Sequence, residues 1–282
     1  MKRLGQNFLT SKIIARRIAD AASITAEDIV LEIGPGKGIL TEAILASNPK
    51  TLIAVEKDKK LLEDLNHELR IKNYDTNSKF IHGDILDLMH DSSFIIHNSI
   101  TKIVANIPYY ITSRLLRLIF SQQSLPSKVA LMMQEEVAER ICAKPPHMNL
   151  LALSVQAYGK PKTAFRVPRH FFKPRPKVNS AVIVIDNISR DFFKASPFKG
   201  DAFFEKELFN LLHAGFRHKR KFLISNLKKS LFSAIPGMAE RMAEAGWINE
   251  FRRCKISEKA RAENLTLADW ACLAKDIFRF KS

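Results

Sequence analysis

Asp28-Ile-Val-Leu-Glu-Ile-Gly-Pro-Gly-Lys-Gly38 is an apolar run of strand length that breaks into three glycines spaced two apart. A short, continuous apolar run reads as a strand buried on both faces. Glycines directly after it let the backbone turn tightly and come close to a bound group at the N-terminus of a following helix. Such a loop suits a ribose or a phosphate. Working outward, Thr51-Leu-Ile-Ala-Val-Glu56, Lys79-Phe-Ile-His-Gly-Asp84, Lys102-Ile-Val-Ala-Asn106, Lys128-Val-Ala-Leu-Met-Met133 and Ala181-Val-Ile-Val-Ile185 continue the series as further parallel strands. Helical patterns at 38–47, 59–72, 112–121 and 135–143 alternate with them. The alternation predicts an α/β fold with a doubly wound, Rossmann-like sheet.

After Asp186 the strands stop, a polar stretch rich in Ser, Lys and Pro runs to about Gly200, and the remainder reads as helices of modest length. A linker is expected near 187–200, dividing the chain into a catalytic domain at 1–188 and a small C-terminal helical domain at 189–282. With 282 residues and 46% apolar content, the chain can bury a real core and is not disordered. Its net charge of +16 and pI near 9.8 repel the compact state unless a polyanion is the usual company. Residues 1–188 and 189–282 each carry net +8, so the shorter part is the more densely basic one. No run of eighteen apolar residues exists, and Met1 to Phe8 lack an apolar core. A cytoplasmic, non-membrane protein is therefore expected. Cys142, Cys254 and Cys272, an odd number at wide spacing, are read as reduced thiols. No metal-ligand pattern appears, and Cys142 and His147 are read as a buried thiol and a loop imidazole.

The dinucleotide fingerprint places its third glycine five residues after the first, whereas Gly38 follows Gly34 by four. That shorter spacing is associated with enzymes that use S-adenosylmethionine (SAM). Glu56 ends the next strand, 22 residues after Gly34, where a carboxylate can accept hydrogen bonds from both ribose hydroxyls. Asp84, at the end of the third strand, is placed to receive the adenine amino group of the cofactor.

Asn106-Ile-Pro-Tyr109, at the end of the fourth strand, is the most specific feature of the chain. The 6-amino group of adenine is a poor nucleophile because its lone pair is delocalised into the ring. Accepting hydrogen bonds from its two protons, through the Asn106 side-chain oxygen and the Ile107 carbonyl, favours the pyramidal nitrogen that attacks. Pro108 fixes the turn that aims that carbonyl, and Tyr109 offers a flat face for a flipped-out base.

Gly5-Gln-Asn-Phe-Leu9, Leu31-Glu-Ile-Gly-Pro-Gly36, Asn106-Ile-Pro-Tyr109, Met132-Met-Gln-Glu-Glu-Val-Ala-Glu-Arg140 and Phe172-Lys-Pro-Arg-Pro-Lys-Val-Asn-Ser180 together resemble the bacterial small-subunit rRNA adenine dimethyltransferases of the KsgA type. Phe216-Arg-His-Lys-Arg-Lys-Phe-Leu-Ile-Ser-Asn-Leu227 and Arg261-Ala-Glu-Asn-Leu265 resemble that family's helical domain, so the likeness spans nearly the whole chain. It implies that Asn7, Leu9, Gly34, Gly36, Glu56, Asp84, Ile85 and Asn106 line a SAM site. It also implies that Asn106 and Tyr109 face the target base, with Phe172 on the other side. The family dimethylates two neighbouring adenines near the 3′ end of 16S rRNA during small-subunit assembly, which makes that RNA the expected partner of a monomer. Two features depart from the family pattern: Asn179 stands where Asp is usual, and Pro145-Pro-His-Met-Asn149 replaces a loop with a Tyr-Gly pair. Read without the resemblance, Asn7 and Leu9 belong to a loop and cap ahead of an amphipathic helix starting near Thr10.

Two basic stretches are candidates for phosphate binding. Lys160, Lys162, Arg166, Arg169, Lys173, Arg175 and Lys177 fall in a segment without acidic residues and surround Phe172. Arg217, Lys219, Arg220 and Lys221, with Lys228 and Lys229 beyond, form the second. Such clusters position RNA rather than identify it. Phe171 is assigned to the core, as are Met132 and Met133, and Glu135, Glu136 and Glu139 receive no catalytic part. Two other functions compete with the small-subunit reading: the large-subunit adenine methyltransferases of macrolide resistance, and a non-catalytic assembly or transcription factor on the same fold. A scaffold would have no chemical need for Gly34, Glu56, Asp84 and Asn106 together.

Overall fold

The computed structural model describes residues 7–72, 77–91, 93–194, 201–234 and 244–278. Gly5 and Gln6 of the N-terminal motif and residues 195–200 of the expected linker lie outside the described residues. By packing, the chain forms two units, one of residues 1–139 and 159–189, the other of residues 140–158 and 190–282. The cut expected at 188 puts Arg140–Tyr158 on the other side. Sequence reasoning passes over this excursion because the chain leaves the sheet and returns to it without a linker-like composition.

In the first unit the apolar runs become strands β2 (Ile29–Ile33), β3 (Thr51–Glu56), β4 (Ser78–His82), β5 (Lys102–Asn106), β6 (Lys128–Gln134), β7 (Lys160–Val167) and β9 (Ser180–Asp186) of one seven-stranded sheet in the order β4-β3-β2-β5-β6-β9-β7. Strands β2 to β6 pair in parallel. Strand β9 instead runs antiparallel to both neighbours, which corrects the expectation that Ala181–Ile185 extends the parallel series. The reason is the connection: no crossover helix lies between β7 and β9, and without one the chain returns antiparallel. Strand β7 was legible only as a basic stretch, because it is an edge. Its Lys160, Lys162 and Arg166 are exposed, as charged side chains on edge strands guard against further pairing. Phe165 turns inward beneath Arg17, whose guanidinium lies 4.0 Å from the ring centroid.

Helix α1 (Lys12–Ala22) begins where Ser11 accepts from the Ile14 N–H and buries Ile14, Ala15, Ile18, Ala19 and Ala22. It packs beside α2 (Ile39–Leu45) and the sheet, α3 (Lys59–Ile71) is capped by Asp58, and α4 (Ile85–Leu88), α5 (Phe94–His97), α6 (Thr112–Ser121) and α7 (Glu135–Ile141) follow along the chain. A two-stranded ribbon joins β1 (Phe8–Leu9) to β8 (Phe172–Lys173), with Leu9 opposite Phe172. That pairing brings residues 163 positions apart in sequence to the same place, and no local pattern announces it.

The second unit holds α8 (Leu150–Gln156), α9 (Asp191–Lys194), α10 (Asp201–Gly215), α11 (Leu223–Ala234), α12 (Glu244–Arg253) and α13 (Leu267–Phe278). Trp247, Trp270, Phe193, Phe204, Phe251 and Phe278 are fully buried at its centre. Tyr158 anchors the excursion, its hydroxyl donating to Glu205 Oε1 and its ring 5.2 Å from that of Phe193. Gly215 ends α10 against Trp270, where a Cβ would come within 2.2 Å of the indole. Cys254 and Cys272 form a disulfide, correcting the reading of all three cysteines as reduced thiols; Cys142 takes no part in it. Their sequence separation of 18 carries no distance information, because the packing of α12 on α13 sets the 5.8 Å between their Cα atoms. Among the described residues no helix is long and apolar enough to cross a membrane, and no cluster of ligands could hold a metal ion.

Candidate active site

The order of the sheet sets the place of the site. From β2 the chain winds outward through β3 and β4, then returns to β5 on the other side of β2 and winds outward through β6. The carboxyl ends of β2 and β5 therefore flank the switch point, where open α/β sheets form their crevice. A cleft enclosing about 780 Å³, its mouth included, lies there within the first unit.

Its floor is the glycine turn. Gly34, Gly36 and Gly38 all have positive φ, at 68°, 57° and 80°, a region where L side chains are strained. A Cβ on Gly36 would press to 3.1 Å from the Phe8 ring, and one on Gly38 would reach 2.3 Å from Leu65. At Gly34 a Cβ would meet nothing within 4 Å, so the missing side chain is room left in the cleft.

Glu56 is buried at the end of β3, yet it lines the cleft. Its carboxylate accepts from the Gly36 N–H at 3.1 Å and the Asp58 N–H at 3.0 Å, one to each oxygen. The backbone thus fixes the carboxylate and leaves each oxygen further acceptor capacity. Asn106 sits at the end of β5 and donates its amide N–H to the Asn7 carbonyl at 3.4 Å, which leaves the amide oxygen as an acceptor. The Ile107 N–H is spent on the Met132 carbonyl at 3.0 Å, holding the tetrapeptide to β6. Tyr109 opens a short 3₁₀ turn, and its hydroxyl pairs at 2.9 Å with that of fully buried Ser180, which pins the ring.

Asn7, Leu9, Gly34, Gly36, Glu56, Asn106, Ile107, Pro108, Tyr109 and Phe172 all line this one cleft. Phe172 is both wall and core, 5% exposed among the apolar residues beneath, while Phe171 packs against the same cluster from its edge. Asp84 and Ile85 are not among the lining residues. Asp84 caps the short helix α4 (Ile85–Leu88) through the Leu86 N–H and pairs with Lys57 at 2.7 Å. Partial burial pushes its carboxyl up, but Lys57 and the Leu86 N–H win and hold it below the usual carboxylate range. It stays near Glu56 through the chain, since the adjacent Gly83 N–H donates to the Glu56 carbonyl at 2.9 Å.

Three neighbours escaped the sequence reading. Phe8 lines the cleft with Lys37, whose ammonium lies 5.4 Å from the ring centroid. The alternation of β1 could have shown Phe8 facing opposite to Leu9. The third is Glu32, on β2 directly below the loop and only 1% exposed. No hydrogen bond reaches either oxygen, and burial pushes its carboxyl up to about 8; the nearby Thr41 hydroxyl opposes the shift and the Glu56 charge adds to it.

Of the basic clusters, the first is partly committed to the fold: Lys162 pairs with Asp186 at 2.8 Å, and Arg166 with Glu135 and Glu139. Arg217, Lys219, Arg220 and Lys221 are exposed in the turn after α10, within the second unit. The Asn226 amide braces that turn by donating to the carbonyls of Gly215 and His218.

The family described as Ribosomal RNA adenine dimethylase matches residues 1–274. A Ribosomal RNA small subunit methyltransferase A of Fusobacterium nucleatum is 36% identical over 276 residues, 97% of this chain and 96% of that protein. One of Dehalococcoides mccartyi is 36% identical over 269 residues, 95% of this chain and 85% of that protein. The crystal structure of a dimethyladenosine transferase from Plasmodium falciparum superposes with a TM-score of 0.79 at 26% identity, covering 94% of this chain and 95% of that one. A 23S rRNA methyltransferase, ErmE, shares the fold with a TM-score of 0.68 at 20% identity. Matched along nearly its whole length by sequence and by architecture, the chain belongs to the ribosomal RNA adenine dimethylases, a family of SAM-dependent methyltransferase enzymes.

Proposed function

We propose that this enzyme dimethylates the 6-amino groups of two adjacent adenines near the 3′ end of 16S rRNA during small-subunit assembly, acting as a cytoplasmic monomer with SAM as methyl donor. One observation carries the reading: the Asn106–Tyr109 tetrapeptide, the glycine turn and Glu56 meet in a single cleft. The residues fit the donor. Glu56 keeps acceptor capacity for two ribose hydroxyls, the absent side chain at Gly34 leaves room, and Asn7 and Leu9 close the N-terminal side. Asp84 and Ile85, one strand further out, extend the site toward the adenine of the cofactor. When bound, SAM supplies a methyl group made electrophilic by its sulfonium.

The protein's part is orientation. The Asn106 amide oxygen and the Ile107 carbonyl accept hydrogen bonds from the two N–H groups of the target amine, keeping its lone pair on nitrogen rather than in the ring. Tyr109 and Phe172 hold the extruded base between them. With SAM held by Asn7, Leu9 and Glu56, the Asn106 and Ile107 acceptors would aim the amine nitrogen at the methyl group, and the surplus amine proton would leave to water. No side chain with a perturbed pKa is needed as base; effective concentration and geometry supply the rate. The helical unit, through Arg217, Lys219, Arg220 and Lys221, would hold rRNA phosphates. Incubating the protein and SAM with purified small and large ribosomal subunits, followed by mass spectrometry of the rRNA, tests the proposal. Dimethyladenosine in 16S rRNA alone is expected; methylation confined to the large subunit would overturn it.

A further inference from the structure

The second unit has a cavity of its own, enclosing about 1000 Å³ with its mouth, on which the proposed chemistry makes no demand. Arg140 and Lys219 stand at it as cations and Phe216 as an aromatic face, while Met148, Leu150 and Leu151 add apolar wall. We infer that this cavity receives one unpaired nucleotide of the rRNA, its phosphate held by Arg140 and Lys219 and its base laid against Phe216. The inference rests on the rRNA reading above and adds a second place where RNA is gripped by more than charge.

The cavity is built, not incidental. The Asn149 side chain caps α8 through the Ala152 N–H and donates to the Arg140 carbonyl at 2.8 Å, tying the two ends of the loop together. The Met148 N–H donates to the Glu263 carbonyl at 3.0 Å, fastening that loop to the opposite wall. Phe216 is half-buried and stacks on Trp270 at 5.8 Å and 26° between planes, so its orientation is set before any ligand arrives. Preset geometry of this kind lowers the ordering cost of binding. The loop that forms the wall, 145–149, is the stretch that departs from the family pattern.

Charge selects the ligand. Arg140 and Lys219 are exposed and neither forms an ion pair among the described residues. The one carboxylate at the cavity, Glu263, faces Arg261 at 3.9 Å. A planar apolar surface beside two uncommitted cations fits a ligand that joins a flat ring to an anion, which is what a nucleotide is. Stacking of a base on an aromatic ring and a cationic grip on the backbone are the usual components of single-strand binding. Without the open mouth the cavity holds about 430 Å³, inside the roughly 300–1000 Å³ usual for small-ligand pockets.

The test uses the full-length protein and a six-nucleotide oligouridylate carrying 4-thiouridine, photocrosslinked and mapped by mass spectrometry. Crosslinks are expected in the peptide containing Phe216 or in residues 147–151, and Arg140→Gln should reduce them at least fivefold while leaving SAM affinity unchanged. In titrations, a hexamer with one abasic residue should bind the wild type several-fold more weakly than the intact one, and Phe216→Leu should erase that difference. Should the leucine variant fold poorly, Arg140→Gln and the abasic comparison on the wild type decide alone. Crosslinks confined to other segments, or equal affinity for intact and abasic hexamers, would overturn the inference, the latter reducing the cavity to an anion-binding face. Methylation of small subunits by the wild type, assayed in parallel, reads the proposed function separately, since its absence leaves the crosslink result intact.

Discussion

The two units put function into the chain in different ways. In the sheet unit the proposed chemistry rests on a few uncharged or backbone-fixed groups: the Asn106 amide held by Asn7, a carboxylate held by two N–H groups, and a tyrosine pinned by Ser180. In the helical unit it rests on exposed cations clustered in one turn. A site of fixed groups concentrates its free energy in single residues, whereas a basic surface spreads it thinly and loses it to salt. Single substitutions should therefore break the first unit and only erode the second.

The largest effect is expected at Asn106. Asn106→Ala should lower methyl transfer by at least roughly a thousandfold, about 4 kcal/mol, because the amide oxygen matters most as the amine becomes pyramidal. SAM affinity, measured by calorimetry, should stay within about tenfold. Near-normal turnover of the alanine variant would remove the tetrapeptide from the chemistry and, with it, the contrast between the units.

Glu56 sharpens the contrast one step down. Glu56→Ala should weaken SAM binding by roughly 2–3 kcal/mol, since a charged acceptor for two hydroxyls is lost and two backbone N–H groups lose their partner. If Glu56→Ala leaves SAM affinity unchanged, the end of β3 is not at the ribose.

How far these positions were readable from sequence follows from the same distinction. The glycine spacing, Glu56 and the tetrapeptide lie at the ends of apolar runs, and a parallel sheet delivers all strand ends of one polarity to one edge; period and punctuation were enough. The pairing of Leu9 with Phe172 was not readable as geometry, since it depends on a ribbon closing across most of the unit. Neither was the Cys254–Cys272 bridge, which helix packing decides. Strand β7 hid because edge strands carry lysines and arginines, the same residues that suggest an RNA surface. Asp84 was readable as a strand-end carboxylate, but its role as cap of α4 and its pairing with Lys57 were not, because both depend on the turn that follows β4.

Glu32 yields a smaller effect with a definite sign. Its carboxyl, pushed up to about 8 from an ordinary 4.5, keeps its proton in the folded chain over a range where the unfolded chain has lost it. The unfolded state then binds fewer protons, so stability falls as pH rises from about 4.5 toward 8, by up to about 1.4 kcal/mol per pH unit. Glu32→Gln should flatten that fall. Urea unfolding of the protein without SAM at pH 5.5 and 7.5 measures it, and parallel losses for wild type and variant would mean the carboxyl is ionised throughout.

The smallest effects belong to the helical unit, where they test the other half of the comparison. Replacing any one of Arg217, Lys219, Arg220 or Lys221 with Gln should cost less than about 1 kcal/mol in affinity for the small subunit, because a solvated cation is only one of several counterions to the RNA. Each replacement should also lower the slope of log affinity against log salt by about one unit, so the quadruple variant should show the sum, about four units. SAM affinity should not move, since none of the four lines the cleft at the switch point. A quadruple variant with an unaltered slope would make this turn a merely solvated face. RNA positioning would then fall to the stretch from Lys160 to Lys177, where the pairing of Lys162 with Asp186 and of Arg166 with Glu135 and Glu139 leaves fewer cations uncommitted than the composition promises.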